Sequence, residues 1–373
     1  MTKKKILIAT DQFLPKMDGV TVFLSKIIPG LKEKYDLTVI GPDYGEIEIP
    51  DVRIIKFPLL KIRLGDFYPT KLRRKIIREE VKNTDIVFLQ SLGPIGDLAV
   101  LYAKKFSKPV VTYMHIIEWE LFANSLKRFK FPVKLLSRHY AKFFYNKCSL
   151  LMCPFLEFKE MLKKGGITKP ETVVVRLGVD TKLFVPADDK KAAKEKIGLS
   201  PDRLVIGYVG RIAREKDLLT LLDAFNKLQA GWDNLTLLIV GGGVKEIEDR
   251  FREARNVTFA GFQENVVPYL QAMDIFVLPS LTETTSLVTI EAMACGLPVV
   301  VTPVGFIKRY IKDRENGLFF PKKNSTVLKL KLDWLLRNSF LRYRIGKRAR
   351  KTVEEAFPWD KTVKDIEIVL EQF

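Results

Sequence analysis

Residues 274–305, DIFVLPSLTETTSLVTIEAMACGLPVVVTPVG, constrain the fold more than any other stretch of the chain. A short apolar run, Ile275 to Leu278, stops at Pro279-Ser280 and reads as a strand. A loop of small polar residues comes next, and then a helix carrying Glu291, Ala292, Met293 and Ala294. Gly296 and Pro298 end that helix, and Val299-Val300-Val301 opens another strand. Strand, loop, helix, strand is one parallel βαβ unit, whose loop lies at the carboxyl end of a strand, where such sheets bind ligands. Glu283 in the loop and Glu291 on the helix can face one crevice. Thr284, Thr285 and Ser286 between them leave backbone amides accessible at a helix start, which suits an anion or a sugar hydroxyl.

The same alternation runs through the whole chain. Strands are expected at Lys5–Thr10, Leu37–Gly41, Val52–Phe57, Asp85–Gln90, Pro109–Met114, Leu150–Pro154 and Thr172–Arg176. The pattern restarts at Leu204–Val209, Leu235–Val240 and Val257–Gly261. A chain of 373 residues exceeds one ordinary core, so two domains are expected. No apolar run approaches the roughly 20 residues a spanning helix needs. Asp11 cuts short the run after Lys3-Lys4-Lys5, which therefore reads as a first core strand rather than a signal peptide. Cys148, Cys153, Cys295, His115 and His139 show neither metal-ligand spacing nor a disulfide framework. The expected compartment is the reducing cytoplasm.

Net charge is +19 and unevenly spread: residues 1–185 carry +14, the remainder +5. A basic first half attracts something anionic, whether nucleic acid, phosphates or a membrane surface. In residues 127–147, with Pro132 taken as a first helical position, Lys134, Arg138 and Lys142 share one face and Leu136, Tyr140, Phe143 and Phe144 another. Such a helix either lies in a membrane interface or packs its apolar side on its own domain. Lys56, Lys61 and Arg63, then Lys71, Arg73, Arg74, Lys75 and Arg78, add basic clusters that favour an anionic surface.

Further positions carry chemistry. Asp18-Gly19 makes a turn at the amino end of a helix, where backbone can approach a ligand. Gly210-Arg211 ends a strand, and Lys216 lies in the predicted helix 212–228 after it. A guanidinium fork and an ammonium there can hold a diphosphate. Gly241-Gly242-Gly243 lacks the spacing of a dinucleotide fingerprint. His115 stands just past a strand's carboxyl end, and Glu118, Trp119 and Glu120 after it could line an acceptor pocket or belong to a surface loop.

Glu283 and Glu291 match the E-x7-E signature of the retaining glycosyltransferases of family 4, and EAMACGLPVVVTPVG resembles the family's sequence from the second of those glutamates onward. Pro15, Gly19 and Val20 fit the family's P-x-x-x-G-V segment, although Asp18 stands where a second glycine is common. Gly210, Arg211 and Lys216 fit G-R-x-x-x-x-K, and Gly178, Val179, Asp180 and Phe184 resemble its interdomain linker. The resemblance implies the GT-B fold, two doubly wound Rossmann-like α/β domains facing a cleft. The expected acceptor domain is 1–178, the expected nucleotide-sugar domain 179–357, and the helix 358–373 returns to the first. It assigns Arg211 and Lys216 to the donor diphosphate and Gly19 and Gly210 to its surroundings. Phe262 falls beside the base, Glu291 at the ribose, and Glu283 with Thr284, Thr285 and Ser286 at the transferred sugar. His115 becomes a further sugar contact, grouped with Glu283, Arg211 and Lys216 as catalytic.

Transfer with retention is implied, with no metal and no cofactor beyond the nucleotide-sugar substrate. DQFLPKMDGVT, the GPIGDLAVLYAKK helix and the segment around His115 are most similar to the glycolipid branch, the diacylglycerol and sulfolipid synthases. That branch implies a lipid acceptor and an anionic membrane surface, with Glu118, Trp119, Lys134, Arg138 and Lys142 as acceptor or membrane contacts. A soluble sugar or sugar phosphate is the alternative acceptor. A nucleic-acid-binding protein is a remote alternative that leaves Glu283, Glu291 and Arg211 without a role, and nucleotide-sugar 2-epimerases lack this E-x7-E context.

Overall fold

The computed structural model describes residues 3–16, 18–61, 68–119 and 130–373, with the backbone alone at Lys130. Arg63 and Glu120 lie outside the described residues. The chain divides into two compact units, Met1–Arg176 with Val363–Phe373, and Leu177–Thr362.

In the first unit seven parallel strands take the order β3-β2-β1-β4-β5-β6-β7. They are β1 (Lys5–Ala9), β2 (Asp36–Pro42), β3 (Val52–Phe57), β4 (Ile86–Leu89), β5 (Val110–Tyr113), β6 (Leu150–Cys153) and β7 (Glu171–Val174). The helices between them are α1 (Gly19–Lys34), α2 (Arg74–Lys82), α3 (Pro94–Lys105), α4 (Lys130–Tyr145) and α5 (Leu156–Lys164). Strands β4, β5 and β6 are buried at every position, the composition expected of a parallel sheet with helices on both faces.

The second unit repeats the plan with the order β10-β9-β8-β11-β12-β13. Its strands are β8 (Leu204–Val209), β9 (Leu235–Val240), β10 (Val257–Gly261), β11 (Ile275–Leu278), β12 (Val299–Val301) and β13 (Leu318–Phe319). Its helices are α6 (Lys190–Lys196), α7 (Leu218–Gln229), α8 (Lys245–Glu253), α9 (Val267–Ala272), α10 (Leu287–Ala294), α11 (Ile307–Tyr310), α12 (Ser325–Arg337) and α13 (Ser339–Ala356). In each sheet the strand order reverses once, between β1 and β4 and between β8 and β11. The carboxyl ends at those reversals are where doubly wound sheets leave room for a ligand.

The last helix, α14 (Trp359–Leu370), straddles the division. Within the first unit Lys34 meets Glu367 at 2.5 Å, and Gly30 is small because a Cβ there would stand 2.8 Å from Val363. Within the second, Val179 donates to the Phe357 carbonyl at 2.8 Å, and Gly178 to the Thr362 hydroxyl at 2.9 Å. A Cβ at Gly178 would meet the Phe357 carbonyl at 2.6 Å, so the two segments lie too close for any side chain.

Two helix expectations are corrected. The helix after Arg211 begins at Leu218, not at Ile212. Asp217 adopts φ +50°, which breaks the chain into a 3-10 turn at Arg214–Lys216 and then α7. Helix α4 begins at Lys130 rather than Pro132; the proline falls in the first turn, where a missing N–H removes no intrahelical bond.

Candidate functional site

In the second unit the candidate residues gather where β8 and β11 end. Gly210 comes directly after β8 at φ +144°, and the Arg211 carbonyl accepts from the Tyr208 hydroxyl at 2.8 Å. The adjacent β9 turn comes so close that a Cβ on Gly241, itself at φ +136°, would lie 1.9 Å from the Gly210 carbonyl oxygen. Glycine at 241 is therefore a requirement of the two interlocked loops. Lys216 reaches Glu283 at 2.6 Å, the two side chains only 19% and 10% exposed. The Ser280 hydroxyl donates to the same Glu283 oxygen at 2.7 Å. Arg211, more exposed, pairs with Glu215 one turn on.

The loop carrying Glu283 is held from several sides. The Tyr310 hydroxyl donates to the Thr285 carbonyl at 2.9 Å and Phe306 N–H to the Thr284 carbonyl at 2.8 Å. Ser286, at φ +59°, precedes α10 and hydrogen-bonds Thr289 at 2.8 Å. Thr285 and Ser286 are buried, and the Thr285 hydroxyl has no partner; these small side chains face inward rather than lying open. Glu291 stands in the middle of α10, half-buried. Phe262, just past β10, is 62% exposed, a free ring surface at a strand end. Burial and then the negative Glu283 push the Tyr208 and Tyr310 hydroxyls above their ordinary range. The result is a carboxylate, an ammonium and a guanidinium at one reversal point, arranged to bind a polyhydroxylated, anionic ligand.

In the first unit Asp18 caps α1, its carboxylate accepting from Val20 and Thr21 N–H groups at 3.0 Å. That cap explains an aspartate in this position. Gly19 is exposed, with nothing within 4 Å of where a Cβ would stand, so a ligand can reach this backbone. His115 lies between Phe23 and Tyr113, ring centres 4.8 and 5.0 Å away, with Nε2 3.2 Å from the Gln90 amide oxygen. Burial lowers its pKa to about 3, so it is neutral.

The same unit holds carboxyl groups that burial shifts toward their protonated form. Asp11 is raised to about 7 and Glu118 to about 7, with Asp97 raised to about 6. Asp11 accepts from Ile95 and Gly96 N–H groups at 2.9 Å, tying the end of β1 to the start of α3. Tyr140 of α4 donates to Asp97 at 2.7 Å, and Tyr145 donates to Glu118. The other Glu118 oxygen and the Gln90 amide nitrogen are buried without a partner.

Three of the expected acceptor or membrane residues make contacts within their own unit. Trp119 is 4% exposed and its ring packs on Gly165, where a Cβ would stand 2.8 Å away; it belongs to the core, not to a pocket wall. The Arg138 guanidinium donates to the Gly165 and Lys164 carbonyls at 3.0 and 2.9 Å. Lys142 lies along Gly166. This side of α4 therefore caps the negative end of α5 while Arg138 and Lys142 stay exposed, and Lys134 is half-buried. Beside its exposed basic residues α4 presents apolar ones to solvent: Phe131 is 78% exposed, Leu136 70% and Phe143 55%.

Asp11, Gln90, Tyr208, Glu215, Ser280 and Tyr310 were missed by motif reasoning. Their position next to a strand's carboxyl end was the available signal for Asp11, Gln90 and Ser280. Tyr310 is tied to the site only through the tertiary fold. Among the described residues no group of three or more His, Cys, Asp or Glu side chains could hold a metal ion, and no helix is long and apolar enough to cross a membrane.

The family model described as Glycosyltransferase Family 4 matches residues 17–183, and that described as Glycosyl transferases group 1 matches residues 189–352. The chain is 26% identical over 347 residues to the alpha-monoglucosyldiacylglycerol synthase of Acholeplasma laidlawii, covering 87% of this chain and 86% of that one. It is 25% identical over 346 residues to the GDP-mannose-dependent alpha-mannosyltransferase of Corynebacterium glutamicum, covering 90% and 81%. Among solved structures it resembles Anabaena HepE, crystallised in complex with UDP and glucose, with a TM-score of 0.78 at 18% identity over all of both chains. Two consecutive family matches, two doubly wound sheets and the Arg211–Lys216–Glu283 cluster agree: the chain belongs to the family 4, group 1 glycosyltransferases of GT-B fold, enzymes that use a nucleotide-sugar donor.

Proposed function

We propose that the chain transfers a hexose, from a UDP-sugar in the first instance, to a hydroxyl of a membrane lipid such as diacylglycerol, with retention at the anomeric carbon. The donor half of this reading is carried by Arg211, Lys216 and Glu283 meeting at the β8/β11 reversal. Arg211 and Lys216 take the diphosphate, and the charge that grows on it as the sugar–phosphate bond breaks is stabilised by these cations. Glu283, released from Lys216, accepts hydrogen bonds from sugar hydroxyls. Glu291 serves the ribose, and Phe262 the base. These assignments leave the diphosphate charge to the arginine–lysine pair rather than to a divalent cation.

The acceptor half rests on the first unit. Burial raises Asp11 and Glu118 to about 7 and Asp97 to about 6, and His115 is neutral; carboxyl groups with no cationic imidazole among them favour a hydroxyl over a phosphate. Asp11 and Glu118, raised to about 7, are engaged by the Ile95 and Gly96 N–H groups and by the Tyr145 hydroxyl, and the departing diphosphate oxygen is assigned the acceptor's proton. Phe131, Leu136 and Phe143 on α4 support a lipid surface, with Lys134 beside them, and the same apolar surface speaks against a purely water-borne acceptor. Attachment is peripheral and, in this reading, cytoplasmic.

The test is release of nucleoside diphosphate from UDP- and GDP-sugars, with and without anionic vesicles containing diacylglycerol. Turnover that requires the vesicles and disappears in Glu283→Ala supports the reading. Turnover indifferent to vesicles but started by a soluble sugar or sugar phosphate overturns the lipid acceptor.

A further inference from the structure

Helix α13 of the second unit has one buried side, formed by Leu341, Ile345, Gly346, Ala349 and Val353. That side is fixed tightly. A Cβ on Gly346 would stand 2.0 Å from the Gly296 carbonyl oxygen, and Arg350 donates to the Phe184 carbonyl at 3.1 Å. The outward side opens with two rings in water, Phe340 at 70% and Tyr343 at 66% exposure. Arg344, Lys347, Arg348 and Lys351 continue it, all exposed. At 3.6 residues per turn Phe340, Tyr343, Arg344, Lys347 and Lys351 share one arc of about 100°.

The cations on this face differ from their neighbours in having little to pair with. Arg342 is spent on the Leu335 and Leu336 carbonyls at the end of α12, both at 2.7 Å. Arg350 binds Glu354 at 2.7 Å, and Lys351 lies 3.7 Å from Glu355. Arg344, Lys347 and Arg348 make no ion pair or side-chain hydrogen bond among the described residues. The preceding α12 adds Leu330 and Trp334, one turn apart and 58% and 42% exposed.

We propose that this face of α13 docks on an anionic lipid bilayer. An aromatic pair at one end of a helix, followed by Arg344, Lys347 and Arg348 without an ion pair among the described residues, matches the two layers of a membrane interface. Rings enter the boundary between headgroups and acyl chains, and flexible basic side chains reach the phosphates. Charge complementarity selects the occupant: each basic residue near an anionic surface contributes to attraction, while Phe340 has no polar atom to satisfy elsewhere. The surface lies in the unit that carries the donor site and does not involve α4, so it is independent of the acceptor's identity.

The experiment is co-sedimentation of the full chain with vesicles of phosphatidylcholine alone or with phosphatidylglycerol added. It compares the wild type with Arg344→Glu/Lys347→Glu/Arg348→Glu and with Phe340→Ser/Tyr343→Ser, each also placed on Phe131→Ser/Leu136→Ser/Phe143→Ser. All substituted side chains are exposed, and unchanged circular dichroism and UDP affinity verify folding. The expected result is binding that depends on phosphatidylglycerol and falls at least tenfold in the charge-reversal variant, with a smaller loss in the aromatic one. Binding unaffected by either α13 variant, no binding by the wild type, or binding equal with and without phosphatidylglycerol would each overturn the proposal.

Discussion

Replacing Gly305 by alanine tests how the donor loop is built. Gly305 sits at φ +52°, and a Cβ there would stand 2.0 Å from the Glu283 carbonyl oxygen and 2.7 Å from that of Thr284. Left-handed backbone costs an alanine roughly 1–2 kcal/mol, and relieving the overlap adds about as much again. Real Cβ contacts essentially never fall below 3.0 Å, so the Glu283 backbone must retreat by about 1 Å, a displacement that costs on the order of 100-fold in turnover. Gly198→Ala is the control: its φ is +77° but nothing lies within 4 Å of the new methyl. Thermal unfolding and donor-dependent release of nucleoside diphosphate are the assays. Gly305→Ala is expected to lower the unfolding midpoint by roughly 5–15 °C and kcat/KM by about 10- to 100-fold, while Gly198→Ala keeps its activity. Equal activity in the two variants would refute the claim that the Gly305 turn positions Glu283.

Other perturbations act on single contacts. Glu215→Gln removes the carboxylate that Arg211 holds in the ligand-free chain; an exposed pair of this kind contributes only about 0.3–0.5 kcal/mol. Donor KM should therefore fall by about twofold with kcat unchanged, as steady-state kinetics will show. Arg138→Ala leaves the Lys164 and Gly165 carbonyls at the end of α5 without their donor and should cost about 1–2 kcal/mol in urea unfolding. Burial raises Glu118 to about 7 from 4.5, so the folded state keeps a proton the unfolded chain has released. Its contribution is present below about pH 4.5 and lost as pH rises through 7. Glu118→Gln lacks that decline and should gain stability relative to the wild type between pH 5 and pH 8. His115, lowered to about 3, acts with the opposite sign, stabilising above pH 6.5 and losing that contribution as pH falls, so the comparison with the variant is the measurement to make.

What could be read from residue order was what local pattern controls. Runs such as Leu235–Val240 and Ile275–Leu278 are buried throughout because a parallel sheet covers both faces, and an unbroken apolar run between turn residues reports that directly. Glu283, Arg211 and Lys216 stood out because each lies shortly after a strand end. The periodicity of α4 revealed two faces but not which one packs. The Arg138 guanidinium, though exposed, reaches the carbonyls at the end of α5, partners that no local pattern records. Trp119 looked like a surface aromatic until Gly165, 46 positions away, closed over it. Asp217 entering left-handed backbone depended on the turn around it, and Tyr310 reaches Thr285 across 25 residues. Contacts of that span come from the assembled fold.

The central claim is that Arg211 and Lys216 in the second unit hold the donor's diphosphate. Calorimetric titration of the full chain with UDP, comparing wild type, Arg211→Ala and Lys216→Ala, tests it most directly. The account predicts a single saturable site in the wild type, weakened at least tenfold by either substitution, with the folded state retained. Equal UDP affinity in all three proteins would contradict it.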